Sequence, residues 1–380
     1  MIYKTKNLYS HAIFLFLLYF FLIIFNPSIS QSNIPTFKES NRYFDSLNLI
    51  YKQLQIDSLF NSIVNENKFN GALLVAKGEK IVYENVAGYS NFSSKTPLTL
   101  NSSFEIASVS KMFTAAAILL LYEEEKIDLS KNIKDYLPDF PYENITIHHL
   151  LCHRSGLPEY FNFAKRYHKN HHFPLTNDSL LLMINKYKPK LKKNPNREFE
   201  YNNTGYAILA SIVEKITGIT FKEFVETKFF KPLEMKQTFF YLYGETKNIN
   251  IGHYANKKEY KRDCLSGVIG DKGIFSSVHD LYKWNNALFS GKIIKTETLK
   301  LAEFPNNKEQ DNCNNYGYGL RISCDENNNT LLFHGGLWNG NNSLFIHRPS
   351  DKTVIIVLSN IFNRSFTGKS VDILHILDEL

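Results

Sequence analysis

The chain has 380 residues, 43 % of them hydrophobic and 21 % charged, a composition that excludes a disordered chain, a collagen-like repeat and a small disulfide scaffold. Its 44 Lys and Arg against 37 Asp and Glu give a formal net charge of +7, too small and too dispersed an excess for a nucleic-acid-binding surface. Length alone allows either two domains or one fold carrying an inserted lobe, because single cores stop growing at about 250 to 300 residues.

Residues 1–30 read as a secretory signal peptide. Lys4 and Lys6 precede an uncharged apolar run from Ala12 to Phe25, and Pro27 with the small pair Ser28 and Ser30 follows, which places cleavage after Ser30. The run is shorter than the roughly 17 to 20 residues a membrane-spanning helix needs. Export, to a periplasm or beyond the cell, is therefore the main expectation and an uncleaved anchor the lesser one. Removing Lys4 and Lys6 lowers the net charge from +7 to +5.

Residues 31–69 are expected to be a polar, irregular tether over Gln31 to Arg42, then a helix with Leu47, Ile50, Leu54, Leu59 and Ile63 on one face. Gly71 to Ala76 and Lys80 to Tyr83 are β-rich runs separated at Gly78-Glu79, the pattern of a hairpin. Ser108 to Glu125 has helical spacing through Phe113, Ala116, Ala117 and Leu120. The stretch of about residues 132–230 carries further helical patterns, among them Tyr206 to Ile216, stopped by Gly218. Strands return at Leu331 to Phe333, Ser343 to His347 and Val354 to Leu358, and Val371 to Leu377 is helical again. Strands from both chain ends thus predict a sheet with the helical middle inserted as a second lobe, and a cleft between lobes is a natural active site.

Four cysteines are present: Cys152, Cys264, Cys313 and Cys324. Cys313 and Cys324 flank a short loop and strand, so two readings stand, a hairpin staple in an exported protein or four buried thiols.

Ser108 to Lys111 is the sole S-x-x-K of the chain and sits where irregular polar sequence turns into an apolar helix. Residues i and i+3 are helix neighbours, so Lys111 can reach the Ser108 hydroxyl. The free N–H groups and dipole of a helix start favour a developing alkoxide or oxyanion and disfavour an ammonium, as partial burial does, which suits Ser108 to nucleophile and Lys111 to base. The bland alternative is Ser108 as an N-cap. Tyr201 lies just before another amphipathic helix, where its phenol can move protons, and Asn203 can hold Lys111 and a substrate amide. His334, Gly335, Gly336 and Leu337 form a strand-like stretch whose glycines admit close backbone approach. His334 can bind a substrate carboxylate when protonated or donate a hydrogen bond when neutral, and the Leu337 N–H is a candidate oxyanion donor. A second cluster, His148, His149, Cys152 and His153, has helical spacing but no H-E-x-x-H, and is read as structural; no metal site and no cofactor are expected.

These segments together resemble the serine β-lactamase-related hydrolases, which include class C β-lactamases, D-alanyl-D-alanine carboxypeptidases, D-aminopeptidases and related esterases. The resemblance rests on Phe104 to Ala116, Ile145 to Pro158, Tyr201 to Gly218, Gly273 to Ser277, Tyr318 to Leu320, and His334 through Asn360. It implies an α/β (α+β) fold of the β-lactamase/transpeptidase type, with an antiparallel sheet flanked by helices and residues 70–380 as one catalytic domain. It also implies Ser108 as the acylated nucleophile, Lys111 as its partner, Tyr201 as general base or acid, and Asn203, His334, Gly336 and Leu337 around the substrate. His334 stands where many members carry a lysine, which weakens the expectation of a dedicated β-lactamase. The expected activity is hydrolysis of an amide or ester in a small or peptidoglycan-derived substrate, with cell-wall association implied. The alternative is a penicillin-sensing or wall-binding module with little turnover.

Overall fold

The computed structural model describes residues 37–66, 69–168, 172–241, 249–362 and 365–379; the expected signal segment lies outside them. Helix α1 (Phe37–Asn65) comes first. Contacts divide the chain into two compact units at Lys52/Gln53. In the smaller unit, Leu47, Leu49 and Ile50 are exposed. The larger unit, Gln53–Glu379, holds everything else described here.

Its strands are β1 (Gly71–Lys77), β2 (Lys80–Ala87), β3 (Tyr89–Asn91), β4 (Thr96–Pro97), β5 (Phe104–Glu105), β6 (Phe239–Phe240), β7 (Ile274–Ser276), β8 (Asn314–Tyr316), β9 (Arg321–Cys324), β10 (Thr330–Trp338), β11 (Asn341–Arg348) and β12 (Thr353–Ser359). Seven of them form an antiparallel sheet in the order β2-β1-β12-β11-β10-β9-β8, and β5-β7-β6 form a second, small sheet. Helices α2 (Ser110–Glu123), α3 (Ile133–Tyr136), α4 (Ile147–Leu151), α5 (Tyr160–Tyr167), α6 (Asn177–Tyr187), α7 (Asn203–Thr217) and α8 (Phe221–Val225) all fall between β5 and β6. Helices α9 (Val278–Phe289), α10 (Thr296–Glu303) and α11 (Ser365–Asp378) follow. The described residues between 132 and 230 carry helices and turns and no strand.

The apolar character of β1 and β12 follows from burial on both faces. Ala72, Leu74, Ile356 and Leu358 join the core that contains α2 and α7, whereas Leu73, Val75, Ile355 and Val357 join a second core with Ile56, Phe60 and Ile63 of α1 and Ile373, Leu374 and Leu377 of α11. Each such Val, Leu or Ile side chain contributes about 1.5 to 3 kcal/mol when fully buried. Hydrophobic alternation therefore disappears from these strands, because period-two alternation marks a sheet with one wet face. The β1–β2 turn has Gly78 and Glu79 both at positive φ (57° and 68°), which fits the right-handed twist of a two-residue hairpin. Cys313 and Cys324 are joined by a disulfide, and Cys152 and Cys264 are buried.

Two expectations for the N-terminal region are corrected. Phe37 to Arg42 is helical and not an irregular tether: after Pro35 no Gly or Pro interrupts the chain, and an α-helix satisfies its backbone internally whatever its side-chain polarity. The buried face of α1 is Ile56, Phe60 and Ile63, while Leu47, Ile50 and Leu54 stay exposed, Leu54 at 63 %. A spacing pattern identifies a helix, but what covers it decides which stripe is buried.

The second core ends in a charged latch. Arg348, 2 % exposed at its side chain, pairs with Asp325 (3.0 Å), Asp351 (2.8 Å) and Asp378 of α11 (2.6 Å). Burial alone would raise the Asp351 pKa, but hydrogen bonds from Arg348 and Thr353 outweigh it and bring it from 3.8 to about 2. A carboxylate with a depressed folded-state pKa stabilises fully above its unfolded value and loses that contribution as pH falls toward the folded one. Thermal unfolding followed between pH 5 and pH 2 should therefore show a shallower fall of Tm in Asp351→Asn than in wild type. Identical slopes would contradict the latch.

Candidate active site

Ser108 lies in a 3-10 turn, Ala107–Val109, that runs directly into α2. The residue before it, Ala107, has φ of +46°, a left-handed conformation that costs an L-residue about 1 to 2 kcal/mol and is often held at functional sites by surrounding structure. Two contacts hold it here. The Ser343 hydroxyl of β11 donates to the Ile106 carbonyl (2.7 Å), and β10 presses on the turn at Gly336. A Cβ on Gly336 would stand 2.3 Å from the Ile106 carbonyl oxygen and 2.4 Å from Ser343 Oγ, so glycine is what permits this approach. Leu337, the candidate oxyanion donor, is next along the same strand.

One turn into α2, Lys111 is fully buried and its Nζ donates to Ser108 Oγ (3.1 Å), Asn203 Oδ1 (2.7 Å) and the Asp271 carbonyl (2.9 Å). Three oxygen partners thus surround the buried Nζ. Asp271 follows Gly270, which has φ of +101° and lies so close to the Tyr206 carbonyl oxygen that a Cβ there would stand 2.6 Å from it. Both conditions demand glycine.

Asn203 begins α7, and the segment Leu157 to Tyr160 anchors that helix start. Asn202 Nδ2 donates to the Leu157 carbonyl (2.9 Å) while its Oδ1 accepts from Gly205 N. The Thr204 hydroxyl donates to the Pro158 carbonyl (2.7 Å) and accepts from Tyr160 N. Glu159 Oε2 accepts from both Asn203 N (2.9 Å) and Asn203 Nδ2 (3.1 Å). The Asn203 amide thus spans Glu159 and Lys111, and both its ends are engaged by the protein. Burial raises the Glu159 pKa against these hydrogen bonds.

Tyr201 leans on His153, with ring centres 4.3 Å apart. Lys111 Nζ lies 5.0 Å from its ring centre. Its hydroxyl is buried and has no hydrogen-bond partner among the described residues, which leaves it open to a reacting group. His153 accepts from Asn202 N at Nδ1 (3.1 Å). The other members of the histidine cluster are similarly occupied by the fold: His148 bonds to the Tyr318 hydroxyl, and His149 Nδ1 accepts from Thr146 N in the cap of α4.

His334 is placed differently from the substrate-facing position expected of it. It is 1 % exposed, its Nδ1 donates to the Gly335 carbonyl (2.7 Å), and its Nε2 accepts from the Tyr316 hydroxyl (3.1 Å). Burial first, then the charges of Lys111 and Arg321, hold its pKa well below the ordinary value, so it is a neutral imidazole with both nitrogens used. The structure therefore brings Ser108, Lys111, Tyr201, Asn203 and the Gly336–Leu337 strand together and withdraws His334 into a supporting layer. The sequence reading missed Glu159, Asp271 and Arg321. Each lies within or next to a segment that carried the family resemblance, directly after Pro158, before Gly273 and after Leu320.

Comparison with known proteins agrees with this fold. The family profile described as Beta-lactamase matches residues 56–377. The chain is 30 % identical over 325 residues to penicillin-binding protein 4* of Bacillus subtilis, covering 81 % of this chain and 72 % of that protein. A penicillin-binding protein from Bacillus halodurans superposes with a TM-score of 0.73 at 25 % identity, covering 84 % and 98 % of the two chains. D-amino acid amidase from Ochrobactrum anthropi superposes with a TM-score of 0.67 at 25 % identity, covering 83 % and 96 %.

The contact at Gly336 makes a direct test of how the nucleophile is presented. Gly336→Ala should slow ester hydrolysis at least about 100-fold, the usual cost of an ångström-scale misplacement of reacting groups, while thermal unfolding stays cooperative. Unchanged kcat/KM would mean that β10 does not set the position of Ser108.

Proposed function

The chain belongs to the beta-lactamase family, and from that premise we propose that it is an exported serine hydrolase that cleaves amide or ester bonds of small or peptidoglycan-derived D-amino-acid substrates through an acyl-enzyme on Ser108. The observation that carries this reading is the buried Lys111 Nζ, held 3.1 Å from Ser108 Oγ by Asn203 and the Asp271 carbonyl.

Ser108 Oγ attacks the substrate carbonyl as its proton passes to Lys111 Nζ, which Asn203 and the Asp271 carbonyl hold in place. The backbone N–H groups of Ser108 and Leu337 receive the oxyanion, whose charge is also favoured by the start of α2. As the tetrahedral intermediate collapses, the C–N or C–O bond breaks and the leaving atom takes a proton through the Tyr201 hydroxyl, which Lys111 replenishes. Water then repeats the sequence on the acyl ester and releases Ser108. Every proton removed from Ser108 or water is thereby returned to a leaving group. Penicillin-binding relatives and a D-amino acid amidase of the same fold support the D-amino-acid substrate class. Export is supported by the apolar run from Ala12 to Phe25, and no helix among the described residues is long and apolar enough to cross a membrane.

A labelled penicillin or fluorophosphonate should modify wild type and leave Ser108→Ala unmodified. Lys111→Ala should remain folded and acylate at least about 1,000-fold more slowly, in line with the loss of a general base and its charge. Equal labelling of all three proteins would contradict the assignment, and a stoichiometric burst without sustained turnover would favour a penicillin-sensing module over a hydrolase.

A further inference from the structure

A second buried lysine stands beside the site and takes no part in the steps above. Lys272 is 3 % exposed, so it does not reach a substrate. Its Nζ donates to the Tyr160 hydroxyl and to the Val268 carbonyl (3.1 Å), and lies 3.5 Å from Asp271 Oδ1. The Tyr160 hydroxyl in turn donates to Asp271 Oδ2 (3.1 Å). Aromatic rings close the remaining sides, with Nζ 5.2 Å from the ring centre of Tyr160, 5.7 Å from that of Phe161 and 5.1 Å from that of Trp338. Burying an amine and a carboxylate is costly, and an apolar pair would fill the same aromatic space without that cost. The polarity of this cluster therefore calls for a role beyond packing.

The backbone between Gly270 and Gly273 shows which role that is. Both glycines have positive φ (101° and 102°), and glycine takes either sign of φ readily. The carbonyls at the two ends are tied down, that of Gly270 by the Thr114 hydroxyl (2.6 Å) and that of Gly273 by Tyr241 N (3.2 Å). Between them the Asp271 carbonyl faces Lys111 Nζ at 2.9 Å, in a segment outside any strand, since β7 begins at Ile274. That carbonyl belongs to the peptide joining Asp271 to Lys272. The side chains flanking the peptide both bond to the Tyr160 hydroxyl and so clamp it from its two ends. Consecutive residues thereby hold two partners of Lys111: Glu159 holds Asn203, and Tyr160 holds the Asp271 peptide.

We propose that Lys272 is a positioning residue for acylation. Through the Tyr160 hydroxyl and the Asp271 carboxylate it fixes the peptide whose carbonyl keeps Lys111 Nζ within reach of Ser108. This rests on the acyl-enzyme reading above and deepens it, since Lys272 acts only through Lys111.

The test measures the rate of fluorophosphonate labelling of Ser108 in the full chain, with thermal unfolding of each variant alongside. Lys272→Met should label about 10- to 100-fold more slowly than wild type, the range of a lost hydrogen bond to a charged group, and Tyr160→Phe about 5- to 10-fold more slowly. In a Lys111→Ala background the same two substitutions should change the remaining rate by no more than about 2-fold, because residues that act through one group are not additive with its removal. A merely structural role would lower the rate by the same factor in both backgrounds, and that result would overturn the inference. So would wild-type labelling in Lys272→Met. If Lys272→Met does not fold, Tyr160→Phe decides: an unchanged rate there, or an equal loss in both backgrounds, would overturn the inference alone. Wild type whose Ser108 is not labelled at all would overturn the acyl-enzyme reading and this inference with it.

Discussion

The buried Lys111 amine is the constraint around which the site is assembled. It is 0 % exposed, and a polar group left without partners in such surroundings is costly enough that a protein must surround it with acceptors. The three it has come from three separated parts of the chain: Ser108 on the turn before α2, Asn203 at the start of α7, and the Asp271 carbonyl before β7. Satisfying one buried amine therefore locks the helical segment, the small sheet and the nucleophile turn into a single arrangement. Glu159 and the Leu157 to Tyr160 segment extend this outward, because they hold the helix start that presents Asn203.

The large sheet supplies the opposing wall. Its central strands are buried on both faces, which gives β10 a rigid position from which Gly336 can press against the turn carrying Ser108. Ala107 holds a left-handed conformation in that turn. A strained turn persists when neighbours over-determine it, and here Ser343 from β11 and the closely approaching Gly336 from β10 do so. Stability is thus concentrated in the sheet and its two cores, and geometric precision in a few close contacts at the edge of β10.

Much of this is legible in the amino-acid sequence. An i, i+3 Ser and Lys pair at a helix start has one geometric consequence, and Gly78-Glu79 between two β-rich runs has another; both are found as expected. Local chemistry of that kind survives folding because it involves neighbours in sequence. The buried stripe of α1 emerged only in part. Ile63 and the partly buried Leu59 belong to it, but Ile56 and Phe60 join them in place of Leu47, Ile50 and Leu54, because a sheet assembled from distant strands and not periodicity alone chooses the covered side. Cys313 and Cys324 left two readings open, since pairing depends on the register of β8 against β9. His334 illustrates the same limit in the site: residue type suggested an anion ligand, but the Tyr316 hydroxyl and the Gly335 carbonyl occupy its nitrogens and burial keeps it neutral. Glu159 and Asp271 carry no motif of their own, and their contacts with Asn203 and Lys111 arise only where separate segments converge.

The most direct measurement is peptide-resolved mass spectrometry of the full chain quenched with acid during steady-state turnover of a D-alanyl peptide or ester. The account predicts an acyl mass increment confined to the peptide containing Ser108, present in wild type and chased away once substrate is exhausted. An increment on any other residue, or sustained turnover with Ser108 never acylated, would contradict it.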